Sequence, residues 1–181
     1  MFAADAPHGT TLALLVRKSG TMLYERYGHQ PATVFGPGEP VTANSTLISW
    51  SMAKSITHAL VGILVEEGRL VLDAPAPVPT WRGTEKEAIT LQHLLTMTSG
   101  LRFVEDYVDE SISHCIDMLF GAGKDDVAAY AAALPLDHEP GTFWSYSSGT
   151  TNILCRIIGD AVGGGQAGME QFMRERLFIP A

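Results

Sequence analysis

The sequence predicts an α/β (α+β) fold: an antiparallel sheet flanked by helices, joined to a second, mostly helical lobe. Three observations carry that prediction. Residues 11–27, TLALLVRKSGTMLYERY, are rich in Leu, Val and Tyr on both sides of Ser19 and Gly20, the composition of two β-strands joined by a tight turn. Residues 47–68, LISWSMAKSITHALVGILVEEG, place Met52, Ile56, Ala59, Leu60, Ile63 and Leu64 at helical spacing. From Thr90 onward, apolar-periodic segments alternate with Gly and Pro punctuation rather than with strand-like runs.

The elements follow in order. Both faces of the 11–27 hairpin carry apolar residues, so a helical cover is expected on at least one side. The turn-rich FGPGEPVTANST then delivers the chain to the helix of residues 47–68, which Gly68 stops. RLVLDAPAPVPTW begins as a short extended piece, as TVF does earlier, and breaks at Pro75, Pro77 and Pro79. The passage between lobes is placed there, giving an α/β lobe over residues 1–80 and a mostly helical lobe over 81–181. In the second lobe, ITLQHLLTMTSGL has Thr90 as its N-cap and Gly100 as a stop. DDVAAYAAALPL is an alanine-rich helix ended by Pro135, HEPGTFWSYSSGT is a loop, and TTNILCRIIGDAVGGG and GMEQFMRERLF are two further helices separated by glycines.

Composition limits the function classes. With 46% hydrophobic and 18% charged residues, the 181-residue chain can bury a substantial core. A formal charge of −8 argues against a polyanion-binding surface, so nucleic acid is not an expected partner. No apolar run approaches the length of a membrane span. The opening MFAADAPHGT lacks a charged segment followed by an apolar one, which leaves a cytoplasmic location as the default expectation. Two cysteines, Cys115 and Cys155, are too few for a disulfide framework, and Cys155 reads as a small hydrophobe inside a helix.

Several familiar motifs fail on context. Gly163, Gly165 and Gly168 match G-x-G-x-x-G but follow a helix, where a dinucleotide site needs a strand. FGAGKDD lacks the Ser or Thr of a phosphate loop, and no zinc-ligand spacing occurs. Tyr146 stands where a hydrolase nucleophile elbow requires glycine. His58 and His93 lie in helices and read as packing residues.

Ser51 and Lys54 are different. Random placement of 11 serines and four lysines in this chain gives about 0.24 Ser-x-x-Lys pairs, so the pattern alone says little. Its position says more. A spacing of three puts both side chains on one helix face, within hydrogen-bonding reach. The amino end of a helix supplies N–H groups and a positive dipole end suited to a developing oxyanion. A lysine so placed can take the proton of a serine hydroxyl, which is otherwise a poor nucleophile. The bland alternative makes Ser51 an N-cap, Lys54 a solvated residue and Tyr146 a loop aromatic packed beside Phe143 and Trp144.

With STLISWSMAKSITHALVGILVEEGRLVLDAPAP (45–77), ITLQHLLTMTSGL (89–101) and PGTFWSYSSGTTNIL (140–154) in this order, the chain resembles the β-lactamase-related serine hydrolases. That group includes class C β-lactamases, DD-peptidases, family VIII esterases and nylon-oligomer hydrolases. The resemblance implies a β-lactamase/transpeptidase-like fold and a serine hydrolase acting on a small-molecule ester or amide, with no metal or organic cofactor. Ser51 matches the acylated nucleophile, Lys54 its partner, and Tyr146 the proton-relaying tyrosine of the second motif. Its hydroxyl is therefore expected about 3 Å from the serine oxygen, or one water away. Ser148, a substrate-side position, stands where class C β-lactamases carry asparagine, which leans toward the esterases.

The family's third motif, a Lys- or His-Thr-Gly-like segment, has no counterpart after Tyr146. The resemblance thus implies the N-terminal portion of such a protein, incomplete at the C-terminus, whose sheet is completed by a further segment or a second chain. Residues 1–181 alone are expected to be aggregation-prone or molten, and inactive, since a two-stranded sheet is marginal in water. The alternative reading is a catalytically impaired, penicillin-binding-like sensor or an inactive fragment.

Overall fold

A computed structural model describes residues 2, 9–34, 36–107 and 113–181. They form two compact units, Met1–Ser49 and Trp50–Ala181. The first unit is built of strands. β1 (Ala13–Lys18) and β2 (Thr21–Tyr27) pair antiparallel from Ala13–Tyr27 to Lys18–Thr21, with an irregularity at Val16/Arg17. Ser19 and Gly20 both take positive φ, 48° and 80°. That is the two-residue turn whose twist matches the flanking strands. A second, two-residue ladder joins β3 (His29–Gln30) to β4 (Glu39–Pro40). Leu15, Val16, Met22, Leu23 and Tyr24 of the hairpin are exposed, and Val41 is buried. The expected extended piece TVF ends at Phe35, outside the described residues; Thr33 forms an isolated bridge to Gly36.

The second unit is helical: α1 (Ala53–Glu66), α2 (Leu91–Leu95), α3 (His114–Phe120), α4 (Val127–Ala133), α5 (Ser148–Val162) and α6 (Gly165–Met173), continued by a π-helical turn over Arg174–Phe178. α5 is the hub, packing against α1, α2, α3, α4 and α6. Its Ile153, Leu154, Ile157 and Ile158 are almost fully buried and meet Leu60, Val61 and Leu64 of α1 and Leu91 and Leu94 of α2 in one core. That stripe of large aliphatics at spacings of three and four removes apolar area from water at about 25 cal/mol per Å². Trp81 closes the core, its indole N–H donating to the Ala132 carbonyl at 3.0 Å. The pairing lets a large ring be buried without orphaning its donor.

Four sequence expectations need correction. Residues 47–49 are not helical: the turn begins as a 3₁₀ segment at Trp50–Met52, α1 starts at Ala53, and Met52 is 72% exposed rather than buried. RLVL makes no strand; Leu70 drops into the core while Leu72 accepts a bond from Gln92 N–H. The proline-rich segment lies inside the second unit, held by Ala76 N–H to Ile89 O at 2.8 Å and a bridge between Pro75 and Thr90. α3 was not anticipated. By contrast α2 starts where Thr90 caps it, with His93 returning the bond to the Thr90 N–H. Among the described residues no helix is long and apolar enough to cross a membrane.

Candidate active site

Ser51 lies in the 3₁₀ turn just ahead of α1 and is exposed. The residue before it, Trp50, takes φ of 44°, a left-handed conformation costly for a bulky residue and of the kind that clusters at functional sites. The Ser51 hydroxyl does not cap the helix: the N-cap position is Met52, and no side chain caps there. Instead Ser51 Oγ meets two side chains. Lys54 Nζ donates to it at 3.0 Å and the Tyr146 hydroxyl at 2.7 Å. Lys54 Nζ also lies 5.0 Å from the centroid of the Tyr146 ring, within range of a cation–π attraction.

The reach of Tyr146 is set by the turn after α2. The loop carrying it is pinned by Gly141 N–H to Thr98 O at 2.8 Å and Ser145 N–H to Met97 O at 3.0 Å. That turn requires glycine at position 100. Gly100 has φ of 78°, and a Cβ there would fall 2.0 Å from the His138 carbonyl oxygen. The Thr-Ser-Gly-Leu sequence is thus the clamp that holds the tyrosine loop, not merely a helix stop.

Ser148 is the first residue of α5, and its neighbour Ser147 caps that helix by accepting from Thr150 N–H at 3.1 Å. Ser148 Oγ accepts from Lys54 Nζ at 3.2 Å. The four residues singled out in the sequence therefore form one hydrogen-bonded cluster.

Sequence reasoning missed a fifth member. Glu105 Oε2 accepts from Ser148 N–H at 2.7 Å, while Oε1 accepts from Ser148 Oγ at 2.9 Å and from the Tyr107 hydroxyl at 2.7 Å. Three donors, and the amino end of a 15-residue helix, suit a carboxylate. Tyr107 is 63% exposed, yet its hydroxyl end also reaches the buried Cys115 at 3.2 Å. Partial desolvation, then the bonds to Cys115 and Glu105, push the Tyr107 phenol well above its ordinary range, so it stays a donor. No local pattern marks Glu105, because its contacts with Ser148 span 43 residues of chain. Nearer clues, an acid following the Thr-Ser-Gly-Leu turn, do not specify a target.

Ser51 and Tyr146 are exposed, while Lys54 and Ser148 are half-buried. A cavity of about 610 Å³ lies elsewhere, between Pro77–Trp81 and helices α4 and α5, and no cluster residue lines it. Cys155 is exposed and touches Thr57 at 3.7 Å, away from the cluster's hydrogen bonds.

Comparison with known proteins identifies the family. Residues 4–181 match the Beta-lactamase family model. Esterase EstB of Burkholderia gladioli is 32% identical over 162 residues, covering 82% of this chain and 40% of its own. Penicillin-binding protein 4 of Amycolatopsis lactamdurans is 31% identical over 153 residues, covering 80% of this chain and 36% of its own. The octameric penicillin-binding protein homologue from Pyrococcus abyssi superposes with a TM-score of 0.66 at 23% identity, over 93% of this chain and 38% of that one. The chain thus spans about 40% or less of the length of these relatives. With matched residues running almost end to end, the chain belongs to the Beta-lactamase family.

Proposed function

We propose that this chain carries the acylating centre of a serine hydrolase that cleaves an ester or amide through an acyl-serine on Ser51. The observation that supports the reading is the pair of contacts on one oxygen: Ser51 Oγ lies 3.0 Å from Lys54 Nζ and 2.7 Å from the Tyr146 hydroxyl. A serine hydroxyl becomes a useful nucleophile when a neighbour can take its proton. Here two can, once either has given up its own.

In the proposed reaction Ser51 Oγ forms a bond to the carbonyl carbon of the substrate while its proton passes to Lys54 or Tyr146, which share the general-base role. The carbonyl electron pair moves onto oxygen, beside the positive amino end of α1. As the intermediate collapses, the bond to the alcohol or amine breaks and Tyr146 returns the proton to that leaving group. Water then adds to the acyl-serine, and carboxylic acid departs with Ser51 reprotonated. Ser148, whose Oγ lies 3.2 Å from Lys54 Nζ, borders this centre and is proposed to meet the substrate. A relative named as an esterase, and Ser148 in place of the asparagine expected of class C β-lactamases, favour ester substrates.

A sensor that is acylated once and stalls is the competing reading, supported by the relatives named for binding penicillin. Steady-state hydrolysis of short-chain p-nitrophenyl esters separates the two. Multiple turnovers that fall at least about a hundredfold in Lys54→Ala are expected for a hydrolase. A single burst without turnover means a sensor.

A further inference from the structure

We infer that Glu105 is a positioning residue for Lys54, acting through the hydroxyl of Ser148. This rests on the acyl-serine reading above. The hydrogen bonds run in one direction: Lys54 Nζ donates to Ser148 Oγ at 3.2 Å, and Ser148 Oγ donates to Glu105 Oε1 at 2.9 Å. A serine hydroxyl has one hydrogen. With Glu105 accepting it, Ser148 offers Lys54 only lone pairs. One N–H of Lys54 is thereby committed to Ser148, and when the amine is neutral its lone pair is left for the proton of Ser51, 3.0 Å away. Glu105 thus fixes which way Ser148 points, and Ser148 fixes which way Lys54 points.

Glu105 is itself held from both sides. Its second oxygen receives Ser148 N–H at 2.7 Å, and Tyr107 donates to the first at 2.7 Å. The strand-like run that carries it is anchored by Arg102 N–H to Pro135 O at 2.9 Å and by Val104 N–H to His114 Nδ1 at 2.8 Å. A carboxylate that served only to cap α5 needs the Ser148 N–H and nothing more. The additional bond to the hydroxyl is what links it to the lysine.

The two roles separate experimentally. Glu105→Gln keeps an oxygen for Ser148 N–H and preserves the cap, but it sets an amide N–H against Ser148 Oγ. The hydroxyl must then turn its hydrogen toward Lys54, where it competes for the lone pair. Ser148→Ala keeps Glu105 on the α5 N–H and removes only the link. With a p-nitrophenyl ester, each variant is expected to lose about ten- to a hundredfold in kcat, and Glu105→Gln, which removes no substrate contact, to keep KM within about threefold. The double variant is expected to lose no more than the weaker single, as for residues acting in one chain. Losses that multiply in the double variant overturn the inference, and so does a kcat within about threefold of the parent in Ser148→Ala, a result that stands even if Glu105→Gln fails to fold. A loss carried by KM alone, with kcat unchanged, leaves Ser148 with its substrate contact only and likewise overturns it. Retained activity in Ser51→Ala is a different result: it removes the acyl-serine reading itself.

Discussion

At the scale of single residues, the proposed chemistry turns on one hydroxyl oxygen and the two donors that meet it. Tyr146 is 36% exposed, and its hydroxyl bonds Ser51 at the surface rather than anything in the core. Removing that oxygen leaves the packing alone. Tyr146→Phe is therefore expected to lower turnover at least about a hundredfold with an unchanged melting temperature; ester hydrolysis at the parent rate removes the phenol from the mechanism. Ser51 and Lys54 were legible in the sequence because a spacing of three on a helix is a local geometric fact. Tyr146 was reached only through resemblance, since nothing near it predicts a partner 95 residues away. Glu105 was not legible at all. A carboxylate in a loop looks like solvated charge until the fold brings it to an N–H and a hydroxyl that need an acceptor.

At the scale of elements, the first turn of α5 is where site and core meet. Gly149 follows Ser148, and a Cβ there would lie 2.6 Å from two ring carbons of Phe103 and 3.2 Å from the Ala131 methyl. Phe103 is buried and two residues from Glu105. Alanine normally gains about 1 kcal/mol over glycine in a helix. Here overpacking against a buried ring is the larger effect, at about 1–3 kcal/mol. Gly149→Ala is expected to lower the urea midpoint and kcat together, because the displaced ring carries Glu105 away from Ser148; a variant more stable than the parent shows that the ring yields freely. The long helices α1 and α5 declared themselves through many turns of apolar period. α3 did not: its seven residues, HCIDMLF, complete less than two turns of period and bury only Cys115 and Met118. The start of α1 was misread for a related reason. Met52 extends the apolar pattern back to the neighbour of Ser51, yet it is exposed.

At the scale of the whole molecule, a single helical core brings together residues from three separate stretches: the turn before α1, the run after α2 and the loop before α5. The order of residues 45–77, 89–101 and 140–154 is what made the family recognisable, and the first and last of these meet where Lys54 and Tyr146 reach Ser51 Oγ. The central claim is that Ser51 is the atom acylated, and it can be read directly. The protein is treated with a fluorophosphonate, whose phosphorus bonds to an activated serine oxygen as fluoride leaves, and the adduct is located by peptide mass spectrometry. The account predicts one adduct, on the peptide containing Ser51, absent in Ser51→Ala and formed at least about a hundredfold more slowly in Lys54→Ala. An adduct on Ser147 or Ser148, or labelling that persists unchanged in Ser51→Ala, contradicts it.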